Sequence, residues 1–183
     1  VSIADGVSLS GGIAVTAGSI NLDETGTLAS TVAMAGGTLD VDETATVSGA
    51  LTQSGDITID VLTDKTLTYE GAGVDIGANT LTLLGGGTLT NTNNLVLSNA
   101  NSKLLLNSIT LGSASTSSDS LGVDVDANST ITALTVSNTT PVSIADGVSL
   151  SGGTTVTAGS INLDETGTLA STVAMSGGTL DVD

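Results

Sequence analysis

Short runs of alternating aliphatic and polar residues recur along this chain at intervals of about 19 residues. Examples are Ile20-Asn-Leu22, Leu39-Asp-Val41 and Ile57-Thr-Ile59, and turns rich in Gly, Ser, Asp or Asn separate such runs. Alternation with a period of two predicts β-strands that bury one face. No stretch of ten or more residues keeps the 3.6-residue spacing of an amphipathic helix. The pattern therefore predicts an all-β chain.

Three aliphatic runs and three turns fit within each interval, which predicts one triangular coil of a parallel β-helix. The predicted coils begin at Val1, Ile20, Leu39, Ile57, Ile76, Leu95, Val123 and Val142. Short strands and Gly turns that repeat at such an interval are typical of a solenoid, in which each coil stacks on the last. We therefore predict one β-solenoid segment over residues 1–183, with roughly nine coils and with Ile20, Leu39 and Ile57 in neighbouring layers.

A longer repeat contains the shorter one. Residues 142–183 restate residues 1–42 with three changes, Ile13 to Thr154, Ala14 to Thr155 and Ala35 to Ser176. The chain therefore holds one full tandem repeat, residues 1–141, and the start of the next, residues 142–183. A tandem array suits a solenoid because a single coil buries too little surface to fold alone.

One predicted coil, from Leu95 to Val123, is clearly longer than the others. The extra residues fit best at 112–120, a low-complexity polar stretch that is typical of a loop pushed out of a turn. Inserted loops of solenoids collect on one face and often carry recognition. A flexible decoration and a binding loop both remain open interpretations.

Hydrophobic residues make up 39% of the chain and are nearly all Ala, Val, Leu and Ile, with one Tyr and no Phe or Trp. The chain is too apolar to be disordered and too poor in aromatic rings for an ordinary globular core. Short aliphatic runs instead suit a thin core between closely spaced sheets. The chain has no cysteine, so no disulfide contributes to the fold.

The net charge is −17, from 19 acidic residues against Lys65 and Lys103. Binding to nucleic acid is excluded because phosphate neutralisation needs clusters of Lys or Arg. Anionic membranes and acidic polysaccharides are repelled by this charge. We also expect no membrane insertion, since no apolar run reaches the roughly 18 to 20 residues of a membrane helix.

The acidic residues concentrate at one turn of the predicted coil, where they would stack about 4.8 Å apart along one corner. Asp60, Asn79 and Asn99 fall in the same frame. A hard cation with oxygen ligands would relieve the repulsion, so this corner is a candidate calcium site. Its predicted ligands are Asp5, Asp23, Glu24, Asp42, Glu43, Asp126, Asp146, Asp164 and Glu165. The alternative is a solvated acidic edge that keeps the protein soluble.

Catalysis is not expected, although polysaccharide-cleaving enzymes exist on parallel β-helices. The chain has no His, Cys or Arg to act as base, nucleophile or oxyanion clamp, and only Tyr69 could stack on a sugar ring. No cofactor is implied apart from calcium.

Thr-x-Thr units such as 66–68, 80–82 and 88–90 suggest the flat threonine face of ice-binding solenoids. Because these threonines do not share one column of the predicted coils, we do not expect ice binding.

The alternation, together with the run Gly77-Ala-Asn-Thr-Leu-Thr-Leu-Leu-Gly-Gly-Gly-Thr-Leu-Thr-Asn91, resembles filamentous-haemagglutinin-type adhesins and autotransporter passenger domains. The resemblance covers the whole chain in pattern and composition. It implies a right-handed β-helix, export to the bacterial cell surface, and a stalk or fibre role in adhesion or biofilm. Near-identity of the two copies and the acidic charge favour a long homogeneous fibre, whose partners would be copies of itself.

The alternative from another class is an adhesive binding module. It would contact a cell-surface or glycan receptor through residues 112–120 or through the acidic corner.

Overall fold

The structure is a computed structural model that describes residues 1–3, 8–117 and 119–182. Within these ranges every regular element is a β-strand, and the strands pair with one another in parallel. They stack as a β-solenoid of about nine turns, so the predicted fold class is confirmed. In chain order the strands are β1 (Ser8–Leu9), β2 (Gly12–Val15), β3 (Ser19–Leu22), β4 (Thr27–Leu28), β5 (Thr31–Met34), β6 (Thr38–Val41), β7 (Ala45–Val47), β8 (Leu51–Gln53), β9 (Ile57–Val61), β10 (Thr66–Tyr69), β11 (Thr80–Leu84), β12 (Thr88–Asn91), β13 (Leu95–Leu97), β14 (Lys103–Asn107), β15 (Thr110–Thr116), β16 (Gly122–Val125), β17 (Ser129–Val136), β18 (Pro141–Ile144), β19 (Ser149–Val156), β20 (Ser160–Leu163), β21 (Thr168–Met175) and β22 (Thr179–Val182).

Each coil has three faces. The first sheet runs in the order β3-β6-β9-β11-β14-β16-β18-β20-β22, and the second in the order β1-β4-β7-β10-β12-β15-β17-β19-β21. The third face begins as the separate sheet β2-β5-β8. Further along, β15 pairs with β12 through its first residues and with β13 through its last three, so one strand spans the second and third faces. The long strands β17, β19 and β21 run on beside it.

Aliphatic side chains from the three faces meet inside the coil and form continuous columns. One column of paired residues on the first sheet is Ile20, Leu39, Ile59, Leu83, Leu106, Val125, Ile144, Leu163 and Val182. Its members from Ile20 to Ile144 are at most 2% exposed, whereas Val182 in the last described strand is 64% exposed. Each coil therefore depends on the next one to bury its aliphatic residues.

The strands β3, β6 and β9 are neighbours, as expected for Ile20, Leu39 and Ile57. Their register differs from the prediction, because Leu39 pairs with Ile59 and not with Ile57. The predicted coil starts at Ile76 and Leu95 are wrong, since both residues lie on the third face. The first-sheet strands that follow β9 are β11 and β14.

The loop predicted at residues 112–120 is also wrong for its first half, and Ser118 lies outside the described residues. Residues 112–116 belong to β15, and Ser113, Ala114 and Ser115 pair with β17. The extra length lies instead in the two preceding coils, from Ile59 to Leu83 and from there to Leu106. Aliphatic triplets look alike on every face, so spacing alone does not tell which face a triplet occupies.

The second copy of the long repeat returns to the same sheets as the first. The strands β18, β20 and β22 of the second copy lie on the first sheet. Their counterparts in the first copy are, respectively, the bridge at Ser2, the strand β3 and the strand β6. Ser2 bridges Asn21, just as Ser143 pairs with Asn162. One repeat therefore advances the solenoid by seven coils and returns to the first sheet with its register displaced by two residues, since Leu163, the counterpart of Leu22, lies in the column of Ile20.

Candidate functional site

The predicted calcium ligands that the structure describes all lie at one corner, the turn between the first and second sheets. They follow β3 (Asp23, Glu24), β6 (Asp42, Glu43), β16 (Asp126), β18 (Asp146) and β20 (Asp164, Glu165). Asp5 lies outside the described residues. We call these eight residues the acidic corner.

The acidic corner is not a continuous column, which corrects the prediction. In the two coils after β9, residues 85–87, all glycine, and Ser108 occupy the corner. Asp60 lies within β9, while Asn79 and Asn99 lie between the third face and the first sheet. The acidic corner is therefore divided into two groups, one near each end of the described chain. Asp60 was misplaced because the prediction aligned Leu39 with Ile57 and not with Ile59, and the longer coils that follow misplaced Asn79 and Asn99.

Several oxygens at this corner accept hydrogen bonds from the next coil. Asp146 Oδ1 accepts the backbone N–H of Thr166 at 3.0 Å as well as its hydroxyl, and Asn128 Oδ1 accepts the N–H of Ser149 at 2.8 Å. The hydroxyl and N–H of Thr166 lower the pKa of Asp146. Among the described residues, no group of three or more His, Cys, Asp or Glu is arranged to hold a metal ion. Calcium binding stays a prediction, and the geometry supports a role in joining coils.

Both lysines pair with carboxylates across coils. Lys65 Nζ lies 2.6 Å from Glu43 Oε2, and Lys103 Nζ lies 2.6 Å from Asp124 Oδ2. Each pair is partly exposed, so its contribution to stability is about 0 to 1 kcal/mol. Lys65 comes from the coil that follows Glu43 and so partly neutralises the acidic group nearest the N-terminus.

Two carboxylates lie side by side on the outer surface of the first sheet. Asp40 of β6 and Asp60 of β9 are directly paired in register. Burial raises the pKa of both carboxyl groups, and the nearby carboxylate of Asp42 raises each further. Like charges directly opposite one another in a sheet are destabilising. At neutral pH this pair therefore weakens the fold.

Tyr69 is not available to stack on a sugar, because it is only 3% exposed. Its hydroxyl accepts the backbone N–H of Leu51 at 3.0 Å and donates to the carbonyl of Ala72 at 2.6 Å. It thus fills a break in the third face, where no described strand pairs with β8 on the side away from β5. Burial raises the pKa of the phenol.

Asn91, the residue paired with Tyr69 in the next coil, has a similar role. Its side chain is buried, accepts the N–H of Ser113 at 2.9 Å and donates to the Ser113 carbonyl at 2.8 Å. The sequence analysis did not single out Asn91. The signal that could have identified Asn91 is its place at the fourth position of Thr88-Leu-Thr-Asn91. The same position of Thr66-Leu-Thr-Tyr69 holds a side chain that faces inward.

Two rows of hydroxyl-bearing residues face outward from the second sheet, and we call them the threonine face. The first row, in register, is Thr66, Thr88, Thr110 and Thr130. The second row is Ser8, Thr27, Thr46, Thr68 and Thr90. The expectation that the Thr-x-Thr units share no column is therefore wrong for 66–68 and 88–90, whereas 80–82 lies on the first sheet. The coil that joins Thr68 to Thr90 is longer than the assumed frame, and this difference hid the column.

Comparison of the chain with protein-family models, with curated proteins and with solved structures finds no match. In the described part of the chain, no helix is long and apolar enough to span a membrane.

Proposed function

We propose that this chain is a structural repeat segment of an extracellular bacterial fibre or stalk, with self-assembly and cell-surface or biofilm scaffolding as its role. The observation that carries the proposal is the return of β18 to β22 to the same three faces that β1 to β6 occupy. A repeat that returns to the same faces after seven coils can be followed by another copy through the same strand pairing. Repeat proteins with this property gain stability from each neighbour.

The mechanical role follows from the bonding. Parallel ladders run the length of the first and second sheets, so bending the axis would stretch many backbone hydrogen bonds at once. Seven coils at about 4.8 Å each give about 34 Å of length for each copy of the long repeat. In this proposal a long fibre therefore consists of many copies of one repeat sequence.

The partner in this proposal is another copy of the same repeat, joined in tandem or end to end. Within the first copy, the inward-facing Leu39 and Val41 are at most 2% exposed because the next coil covers them. A copy joined in tandem would extend the same coil-on-coil packing. The charge of −17 keeps neighbouring fibres apart and favours growth along the axis.

The test is to measure length against repeat number. Chains with one, two and three copies of residues 1–141 should lengthen by about 34 Å per copy at constant cross-section, measured by small-angle scattering and electron microscopy. As a matched control, deletion of residues 123–141 removes one whole coil, from Val123 to its partner Val142, and should keep the fold. Deletion of residues 123–132 breaks the coil and should destroy it. A length that does not grow with copy number would refute the proposal.

The extracellular location has a separate test. In intact cells that produce the protein, an antibody against the solenoid should label the surface, and external protease should remove the label. Labelling only after cell lysis would overturn this part of the proposal and leave the fibre geometry standing.

A further inference from the structure

The threonine face is a regular two-dimensional grid. Adjacent coils lie about 4.8 Å apart, and two threonines on one strand, such as Thr66 and Thr68, lie about 6.6 Å apart. The residue between them, Leu67, points inward and is 1% exposed, so it does not interrupt the surface. The grid is complete over β10 and β12, and Thr44 and Thr46 extend it by one coil.

The side chains of this grid are stiff and uncharged. Threonine is β-branched, so its methyl and hydroxyl groups have few orientations. Near the N-terminal end this face has an open groove, which is lined by Ser8, Thr25, Gly26, Thr27, Thr44, Ala45 and Thr46. The charged pair Glu43–Lys65 lies beside the rows and not within them. The face thus offers hydroxyls and methyls at fixed intervals around a groove open to water.

The first sheet provides a contrast within the same molecule. It also has an outward row of threonines, Thr38, Thr58 and Thr82, paired in register. The neighbouring row on that sheet contains the carboxylates of Asp40 and Asp60, so it is charged. Two adjacent uncharged rows therefore occur on the second sheet and not on the first.

A ligand for such a grid must itself repeat at these intervals in two directions. Ice does so: each oxygen has four tetrahedral neighbours at about 2.75 Å, which sets hexagonal lattice repeats of about 4.5 Å and about 7.3 Å. The coil spacing differs from the shorter repeat by about 0.3 Å, a drift of about 1.2 Å over four coils. The strand spacing differs from the longer repeat by about 0.7 Å. Both mismatches are small fractions of one lattice step.

We propose that the threonine face binds the surface of ice crystals. Water in the groove and at the hydroxyls takes lattice positions, while the methyl groups fit between them. Because the sheet holds the threonines in place before binding, little conformational entropy is lost. This activity is independent of the fibre role, since a single chain carries the whole face.

The test uses the chain of residues 1–183 labelled with a fluorophore and allowed to adsorb to a growing ice crystal. The wild-type protein should coat and enter the ice. Thr68→Tyr places a ring in the centre of the grid and should abolish the coating. The matched control Thr58→Tyr changes an equivalent half-buried threonine on the first sheet and should leave it intact.

Melting curves of both variants check that the fold is kept, and Thr90→Tyr, at an exposed position of the same row, replaces Thr68→Tyr if that variant fails to fold. Exclusion of the wild-type protein from ice, to the same extent as a labelled protein without such a grid, would overturn the proposal. Equal coating by the grid variants and by Thr58→Tyr would also overturn it.

Discussion

Removing one oxygen atom from Tyr69 tests how the break in the third face is held together. Tyr69→Phe keeps the buried ring and deletes the hydroxyl that bonds the Leu51 N–H and the Ala72 carbonyl. Ala72 is exposed, so its carbonyl can turn to water, but Leu51 is 6% exposed and its N–H is left without a partner. An unsatisfied buried donor costs about 1 to 3 kcal/mol. We expect Tyr69→Phe to destabilise the protein by that amount.

Amide hydrogen exchange measures the effect where it arises. A cost of about 1 to 3 kcal/mol corresponds to roughly 5- to 150-fold faster exchange at the Leu51 amide, since about 1.4 kcal/mol is tenfold. The amide of Val32 bonds the Ala50 carbonyl at 2.8 Å beside the same break and serves as an internal reference. Its exchange should change less than that of Leu51.

Thr68→Val provides the matched control, because it removes a hydroxyl from the adjacent residue on the solvent side of the same strand. It should leave exchange at Leu51 unchanged and the melting temperature nearly so. Unchanged exchange at Leu51 in Tyr69→Phe would show that water or a shifted backbone replaces the phenol. The assigned role of Tyr69 in closing the third face would then be wrong.

Two further substitutions test the electrostatics and the turns. Asp60→Asn should stabilise the protein by about 0.2 to 1 kcal/mol at pH 7, because it removes the like charge opposite Asp40. The raised folded pKa means that stability falls as pH rises above the ordinary value of 3.8, so the gain should vanish in melts at pH 3, and exposed Asp126→Asn should show a smaller gain. Gly37→Ala should destabilise by about 1 to 3 kcal/mol in denaturant titrations, since φ is 90° and a Cβ would lie 2.1 Å from a carbonyl oxygen of the preceding coil. Gly12→Ala, which meets open space, should be neutral or slightly stabilising, and equal effects of the two would refute the turn argument.

The sequence was sufficient to predict the coil but not the face on which each strand lies. Alternation and Gly turns predict parallel stacking because only one side of each short strand can be buried. Leu81-Thr-Leu83 and Leu95-Val-Leu97 have the same alternation, yet the first lies on the first sheet and the second on the third face. Face assignment depends on how far the chain travels around each corner. The predicted frame was therefore displaced by two residues already at Ile57, and two coils of unusual length then placed Ile76 and Leu95 on the wrong face.

The same displacement explains why the two surface predictions failed in opposite directions. The acidic corner looked continuous because a frame of constant length placed Asp60, Asn79 and Asn99 in it, and the threonine rows looked scattered because that frame separated Thr68 from Thr90. In the structure, pairing in register decides both cases: Asp60 pairs with Asp40 within the sheet, and Thr68 pairs with Thr90. A ligand that needs several side chains at once responds to this lateral register. Surface function in a solenoid is therefore inferred from strand pairing, and sequence spacing serves only where the coil length is constant.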